Sequence, residues 1–257
     1  MKTNALGFIG GGRITKIFLQ AFLNVQEAFE SIVVFDTNPE VVSALKQQFP
    51  EITVADNVEQ VARQSTILIA LHPPVIMETL DKIAGVIATN ALIISLAPKI
   101  TIEKISMKLK TNNVARMIPN ATSYINDGYN PIAYHPDMRK TDRQLIKMLI
   151  KKLGKTIKVK ENKLEGYAIV SAMLPTYFWF QFSEIEKVAQ QCGLTEEEAA
   201  KTVKASMKKA IRLYFNPSLA LDQVMDLIPV KPIGEHEAEI KEIYQTKLMG
   251  LYGKIKA

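Results

Sequence analysis

Residues 5–15 read Ala-Leu-Gly-Phe-Ile-Gly-Gly-Gly-Arg-Ile-Thr. An apolar run ends at Ile9, a Gly-x-Gly turn follows at Gly10 and Gly12, and Ile14, Ile17, Phe18 and Ala21 recur at helical spacing. A strand that bends into a helix here leaves the first helical N–H groups unpaired, beside the positive end of the helix dipole. Such a corner can cradle a pyrophosphate. The first glycine permits the tight turn and the second lets backbone approach the phosphates, while the third small position of the motif holds Thr15. The expected contact set is Gly10, Gly12, Arg13 and Ile14. A second apolar run, Ser31–Phe35, ends at Asp36. A carboxylate about 20 positions beyond such a turn can accept hydrogen bonds from a ribose 2′-OH. It also repels a 2′-phosphate. Thr37 and Asn38 could donate to a phosphate, but no arginine stands at this turn. NAD is therefore expected over NADP.

Other chemistry is sparse. His72, His135 and His236 share no i, i+3 or i+4 spacing, so no metal site is expected. Cys192 is the single cysteine, which excludes an internal disulfide. Placed between an apolar helix pattern and Gly193, it reads as a buried structural thiol. Neither a Gly-x-Ser-x-Gly elbow nor a Walker loop occurs. Apolar residues make up 47% and charged residues 23%, an ordinary globular composition. No apolar run is long enough to cross a membrane. Met1–Asn4 lead straight into the first apolar run without the layout of a secretion signal, so a cytoplasmic location is expected. The net charge of +6 is unevenly placed, because residues 99–163 carry 15 basic and 5 acidic side chains. Such a segment could steer an anion. It could equally be a solvated helix face beside a lysine-protected edge strand, the reading favoured by the sequence. Aromatic residues are not interleaved with these lysines, so nucleic acid is not an expected partner.

Strand and helix signals alternate through the first 160 residues. Strands are expected at 5–9, 31–35, 52–54, 66–71, 91–95 and 113–117, with weaker ones at 131–134 and 155–159. Helices are expected after the glycine turn, from Asn38-Pro39, after an Asp56-x-x-Glu59 capping box, from Pro73-Pro74, and over 141–152 before Gly154. This alternation predicts an α/β fold: a Rossmann-type, doubly wound, mostly parallel sheet over residues 1–160. From Leu164 onward no strand is convincing. A long apolar helix should run to Cys192, kinked or broken at Pro175. Thr195-x-x-Glu198 should cap a helix to Tyr214, Asn216-Pro217-Ser218 should start a shorter one through Leu227, and a last helix should cover 235–254. The Met173-Leu174 and Tyr177–Phe180 cluster would form a large apolar patch if left exposed. Residues 161–257 are therefore expected to form an all-α substrate and dimerisation domain, giving a homodimer or higher homo-oligomer.

Taken in order, these residues resemble the pyrroline-5-carboxylate reductase family. Gly7–Thr15 is similar to its opening Gly-Phe-Ile-Gly-x-Gly-x-Met-Ala, and Asn57 matches an asparagine that reaches the cofactor. Leu71-His72-Pro73 matches its Val-Lys-Pro, and Ser95-Leu96-Ala97-Pro98-Lys99-Ile100 looks like its Ser-x-x-Ala-Gly-Ile turn. Arg116–Thr122 (Arg-Met-Ile-Pro-Asn-Ala-Thr) is similar to its most distinctive signature, Arg-x-Met-Pro-Asn-Thr-Pro, and Gly128 fits a glycine beyond it. The resemblance implies NAD or NADP lying across the strand ends. It implies Asn57, Leu71, His72, Pro73, Ala97, Pro119 and Asn120 as further cofactor neighbours, with the nicotinamide near Ala97 and the Pro119-Asn120 turn. It also implies hydride transfer to a cyclic imine carboxylate, giving proline.

The departures from the family pattern fall in one place. Ala168–Tyr177 keeps Ser171, Pro175 and Tyr177 of the Thr-Ala-Leu-Ser-Gly-Ser-Gly-Pro-Ala-Tyr stretch but replaces both glycines and the second serine. Ile228–Ile233 stands where the family has Ser-Pro-Gly-Gly-Thr-Thr, whose amides and hydroxyls hold the substrate carboxylate. Pro232 has no N–H, and Val230 and Ile233 have no hydroxyl, so that anchor cannot form. Ser171, Thr176 and Lys231 are the candidate catalytic residues, with Lys231 as a point charge. A carboxylate buried without donors is costly, which argues for a more apolar substrate than pyrroline-5-carboxylate. The expected function is NAD(P)H-dependent reduction of a C=N bond. A catalytically silent dinucleotide-binding dimer is the alternative. A 3-hydroxyacid dehydrogenase-like enzyme, with Lys163 near the catalytic lysine position, is a minor one.

Overall fold

A computed structural model describes residues 5–256. Met1–Asn4, which carry the secretion-signal reading, and Ala257 lie outside the described residues. The chain divides into two compact units, one running to Met173 and taking in the residues from Leu251, the other Leu174–Gly250.

In the first unit, strands and helices alternate as β1 (Ala5–Ile9), α1 (Arg13–Asn24), β2 (Ser31–Phe35), α2 (Pro39–Gln48), β3 (Thr53–Val54), α3 (Val58–Ala62), β4 (Thr66–Ile69), α4 (Pro73–Ile83), β5 (Leu92–Ser95), α5 (Ile102–Leu109) and β6 (Val114–Met117). Then come β7 (Gly128–Tyr134), α6 (Lys140–Ile150) and β8 (Gly154–Lys158). The eight strands lie in the order β3-β2-β1-β4-β5-β6-β7-β8. All neighbours are parallel except β6 and β7. The strand order reverses between β1 and β4, where Leu6 pairs with Thr66 and Ile9 with Ile69. Side chains alternate across the sheet. Phe8, Leu68 and Ile94 join Phe18 and Phe22 on one face, while Ile67, Ile69 and Ile93 join Ile76, Leu80 and Ile105 on the other. This is why β4 reads as an unbroken apolar run.

Several local expectations are corrected. The N-cap of α3 is Asn57, whose Oδ1 accepts from the Gln60 amide at 3.1 Å, while the Gln60 side chain reaches back to the Asp56 amide at 3.1 Å. The cap is thus one residue later than the Asp56-x-x-Glu59 box. Helix α5 was not anticipated, although Thr101 caps it and Ile102, Ile105 and Leu109 form its buried face. The break expected at Pro175, by contrast, is present: α7 (Leu164–Tyr167) leads into a π-helical turn at Ala168–Ala172, and a new helix, α8 (Leu174–Gln191), begins beside Pro175.

The second unit holds α8, α9 (Glu196–Tyr214), α10 (Leu221–Asp226) and α11 (Glu237–Ile243), and α12 (Met249–Ile255) runs out of it. The Thr195–Glu198 capping box forms with both of its bonds. The short helix starts at Leu221 rather than Asn216, because the Asn216 side chain accepts from the Ser218 amide and makes a turn there. Cys192 is exposed, not buried. No residue of α8 is buried, and Trp179 and Phe180 are 53% and 67% exposed.

Candidate functional site

The glycine turn is held from three sides. Gly10 has φ +104°, a left-handed conformation, and its amide donates to Phe35 O at 2.7 Å. A Cβ on Gly10 would lie 2.5 Å from the Ala70 carbonyl oxygen, so both the conformation and the space demand glycine. The Thr15 hydroxyl, in the third small position of the motif, donates to the Gly10 carbonyl at 2.5 Å. The Gly11 amide donates to Asp36 Oδ2 at 2.8 Å, and the Asn38 amide to Asp36 Oδ1 at 2.9 Å.

Gly12 is the N-cap of α1 and offers no side-chain cap, and the first turn of α1 carries no acidic residue. A Cβ on Gly12 would meet no atom within 4 Å. An uncapped helix end facing open space fits a diphosphate: free N–H groups, a positive dipole end, and room for the ligand to touch backbone.

Two cavities flank this corner. One, of about 360 Å³, is lined by Asp36, Thr37, Asp56, Asn57, Glu59 and Glu78, together with Lys82. The other, of about 400 Å³, is lined by Gly12, Arg13, Ile14, His72, Pro73 and Ala97. Leu71 lines both. They sit over the carboxyl ends of β1, β2, β4 and β5, spanning the switch in strand order, the usual place for a ligand on an open α/β sheet. The first cavity is acidic. Its cation, Lys82, bonds Glu78 at 2.8 Å, and that contact raises the lysine pKa.

Ten of the twelve expected cofactor neighbours line these cavities or, like Gly10, shape the turn beside them. Pro119 and Asn120 are buried and line neither cavity. Asn120 is internally bonded: Nδ2 donates to Ser171 O and Oγ at 3.0 and 3.2 Å, and Oδ1 accepts from the Thr122 amide and hydroxyl. The Ser171 hydroxyl also bonds Tyr129 O at 3.2 Å. Thr176 lies in the first turn of α8 in the second unit. Lys231, in the same unit, lines an apolar cavity of about 460 Å³ with Val230, Ile233 and Tyr244.

Sequence reading missed one buried polar assembly. Arg116 on β6 is 0% exposed. Its guanidinium bonds Glu161 Oε1 at 2.8 Å and Glu165 Oε1 at 2.5 Å, with the Ala97 carbonyl at 3.4 Å. The Glu165 carboxylate also accepts from the Lys99 amide, and Glu161 from the Ile102 amide at 2.7 Å. The arginine therefore ties β6 and the segment 161–165 to the loop that follows β5. The available signal was a lone arginine in the otherwise apolar run Val114–Met117, which requires a buried partner.

The fold and the groove define a Rossmann-type α/β protein. A family model described as "NADP oxidoreductase coenzyme F420-dependent" matches residues 5–99. A pyrroline-5-carboxylate reductase of Haemophilus influenzae is 23% identical over 234 residues, covering 90% of this chain and 86% of that protein. Pyrroline-5-carboxylate reductase 2 of Bacillus subtilis is 22% identical over 245 residues, covering 94% and 87%. Among solved structures, the Plasmodium falciparum pyrroline carboxylate reductase with NADP bound matches with TM-score 0.75 at 17% identity, covering 99% of this chain and 95% of that one. The Streptococcus pyogenes 1-pyrroline-5-carboxylate reductase matches with TM-score 0.76 at 14% identity, covering 99% and 97%. The chain is thus similar to pyrroline-5-carboxylate reductases along nearly its whole length, at 22–23% identity to these two relatives.

Proposed function

We propose that the chain is an NAD(H)-preferring reductase of a carbon–nitrogen double bond, acting on a substrate more apolar than pyrroline-5-carboxylate. The observation that carries this reading is the uncapped, open helix end at Gly12 between two cavities. A reduced nicotinamide held there supplies the hydride. The chain's part is binding, orientation and exclusion of water. The amides at Gly12–Ile14 take the diphosphate, Asp36 and Asn57 face the ribose, and Leu71, His72, Pro73 and Ala97 wall the nicotinamide side. Asn120 acts as a positioning residue through Ser171. Ser171 in the first unit, and Thr176 and Lys231 in the second, are each proposed as catalytic residues.

The NAD preference rests on charge. Asp36, Asp56, Glu59 and Glu78 line the ribose-side cavity against one lysine already engaged by Glu78. A 2′-phosphate placed there meets net repulsion. The apolar substrate rests on the Ile228–Ile233 loop, whose Val230 and Ile233 side chains provide no donors. The exposed aromatics of α8 support a homodimer or higher homo-oligomer built on the helical unit. A cytoplasmic location belongs to the same reading.

One observation favours the silent alternative: the Ser171 hydroxyl is already engaged by Tyr129 O and Asn120 Nδ2. Titration of NADH and NADPH, followed by nicotinamide fluorescence, tests binding. A screen of cyclic imines of graded polarity, followed by loss of nicotinamide absorbance, tests turnover. Tighter NADH binding with turnover of apolar imines supports the proposal. Binding without turnover of any imine supports the silent form, and no binding of either coenzyme overturns both.

A further inference from the structure

The far end of the sheet holds a further cavity with a different chemistry. It has a volume of about 260 Å³ and lies between α6 and the last two strands, lined chiefly by Tyr134, Lys140, Arg143, Lys147, Thr156 and Lys158. Helical spacing puts Lys140, Arg143 and Lys147 on one face of α6, and strand alternation puts Thr156 and Lys158 on one face of β8. Four cations thus share one concave surface with no carboxylate in its lining. Among the described residues, none of the four makes an ion pair. Asp142, adjacent on α6, is committed to Arg139 at 2.8 Å.

Lysines that only protect an edge strand point separately into water. Here the charges converge, and their mutual repulsion has no internal counterweight. Two further donors in this lining are unused: Thr156 Oγ1 and Arg143 Nε are buried without a hydrogen-bond partner. Buried polar atoms are nearly always bonded, so each points to a missing acceptor. Arg143 is not loose, because its Nη2 bonds the carbonyls of Pro136 at 2.5 Å and His135 at 3.3 Å. Tyr134 adds a phenol that burial keeps protonated, with its pKa pushed up to about 12. The lining is therefore rich in donors and short of negative charge.

We propose that this cavity binds a phosphate group, as the free ion or as a small phosphate ester, independently of the dinucleotide groove over β1–β5. Thr156 and Arg143 are covered in this structure, so the anion reaches them as neighbouring side chains give way. The exposed Lys147 and Lys158 follow it in and supply the charge.

The test is calorimetric titration of the full chain with inorganic phosphate, and separately with glycerol 3-phosphate, against chloride at matched ionic strength. Titrations are repeated with saturating dinucleotide, so that the glycine corner cannot answer for the site. The expected result is saturable binding that weakens about tenfold in Lys147→Ala/Lys158→Ala. Dinucleotide affinity should stay unchanged in that variant. Thr156→Val should also weaken binding while raising the melting temperature, because it removes an unpaired buried hydroxyl. Preference for the ester assigns the site to a phosphorylated small molecule, and preference for the free ion to inorganic phosphate. Either supports the site. No saturable binding in the native chain, or equal binding in both variants, overturns it.

Discussion

The amide of Gly11 donates to the Asp36 carboxylate at 2.8 Å, joining the glycine turn after β1 to the end of β2. The second carboxylate oxygen accepts from the Asn38 amide. The residue expected to read the ribose therefore also builds the corner. Each oxygen keeps a lone pair for a ligand hydroxyl.

Asp36→Ala should leave two backbone N–H groups without their acceptor and cost about 1–3 kcal/mol of stability. It should also weaken NADH binding and narrow the gap between NADH and NADPH. Urea denaturation reads the first effect and coenzyme titration the second. Unchanged stability would mean that the Gly11 bond contributes nothing in solution.

Gly10 and Gly12 should respond in opposite ways. Gly10→Ala forces a Cβ against the Ala70 carbonyl at a strained φ and should destabilise the fold by about 1–3 kcal/mol. The Cβ of Gly12→Val meets no atom within 4 Å, and this variant should keep the native melting temperature while losing coenzyme binding. Thermal melts paired with coenzyme titration separate the two. Full NADH affinity in Gly12→Val would refute the diphosphate corner.

Arg116→Ala should be severe, because it strands Glu165, whose side chain is 3% exposed. Removing one partner of a buried pair costs about 3–5 kcal/mol. Arg116→Lys should recover only part of this, since an ammonium cannot fork between Glu161 and Glu165. Chemical denaturation of both variants tests the ranking.

Alkali should act through Tyr134. Burial pushes its phenol up to about 12, with Arg143 pulling weakly the other way, against an ordinary value of 10.0. Above pH 10 the unfolded chain releases a proton that the folded chain retains, so unfolding becomes easier as pH rises. The tyrosine's contribution to stability is complete below pH 10 and is lost as pH approaches 12. Denaturation midpoints of the native chain and Tyr134→Phe, compared across this range, should show a shallower decline in the variant.

The groove was legible in the linear chain because its chemistry is local. Gly10, Gly12 and Asp36 announce a turn, an open helix end and an acceptor within one β-α-β unit, and neighbouring residues alone dictate such a corner. The alternation of apolar runs likewise predicted the parallel sheet and its helical cover, since side-chain period follows backbone geometry. Helix boundaries near Asn57 and Asn216 moved because caps and turns compete over a few residues, whereas the break at Pro175 was legible because proline cannot continue a helix. Tertiary structure decided what depends on distant partners. Arg116 meets Glu161 and Glu165 across 45 and 49 positions, and Asn120 meets Ser171 across 51. The basic segment read as a solvated face turns part of its charge into one cavity only when α6 packs beside β7 and β8. Such assemblies leave no periodic trace in the chain, because burial and charge pairing are set by packing between elements rather than by spacing within one.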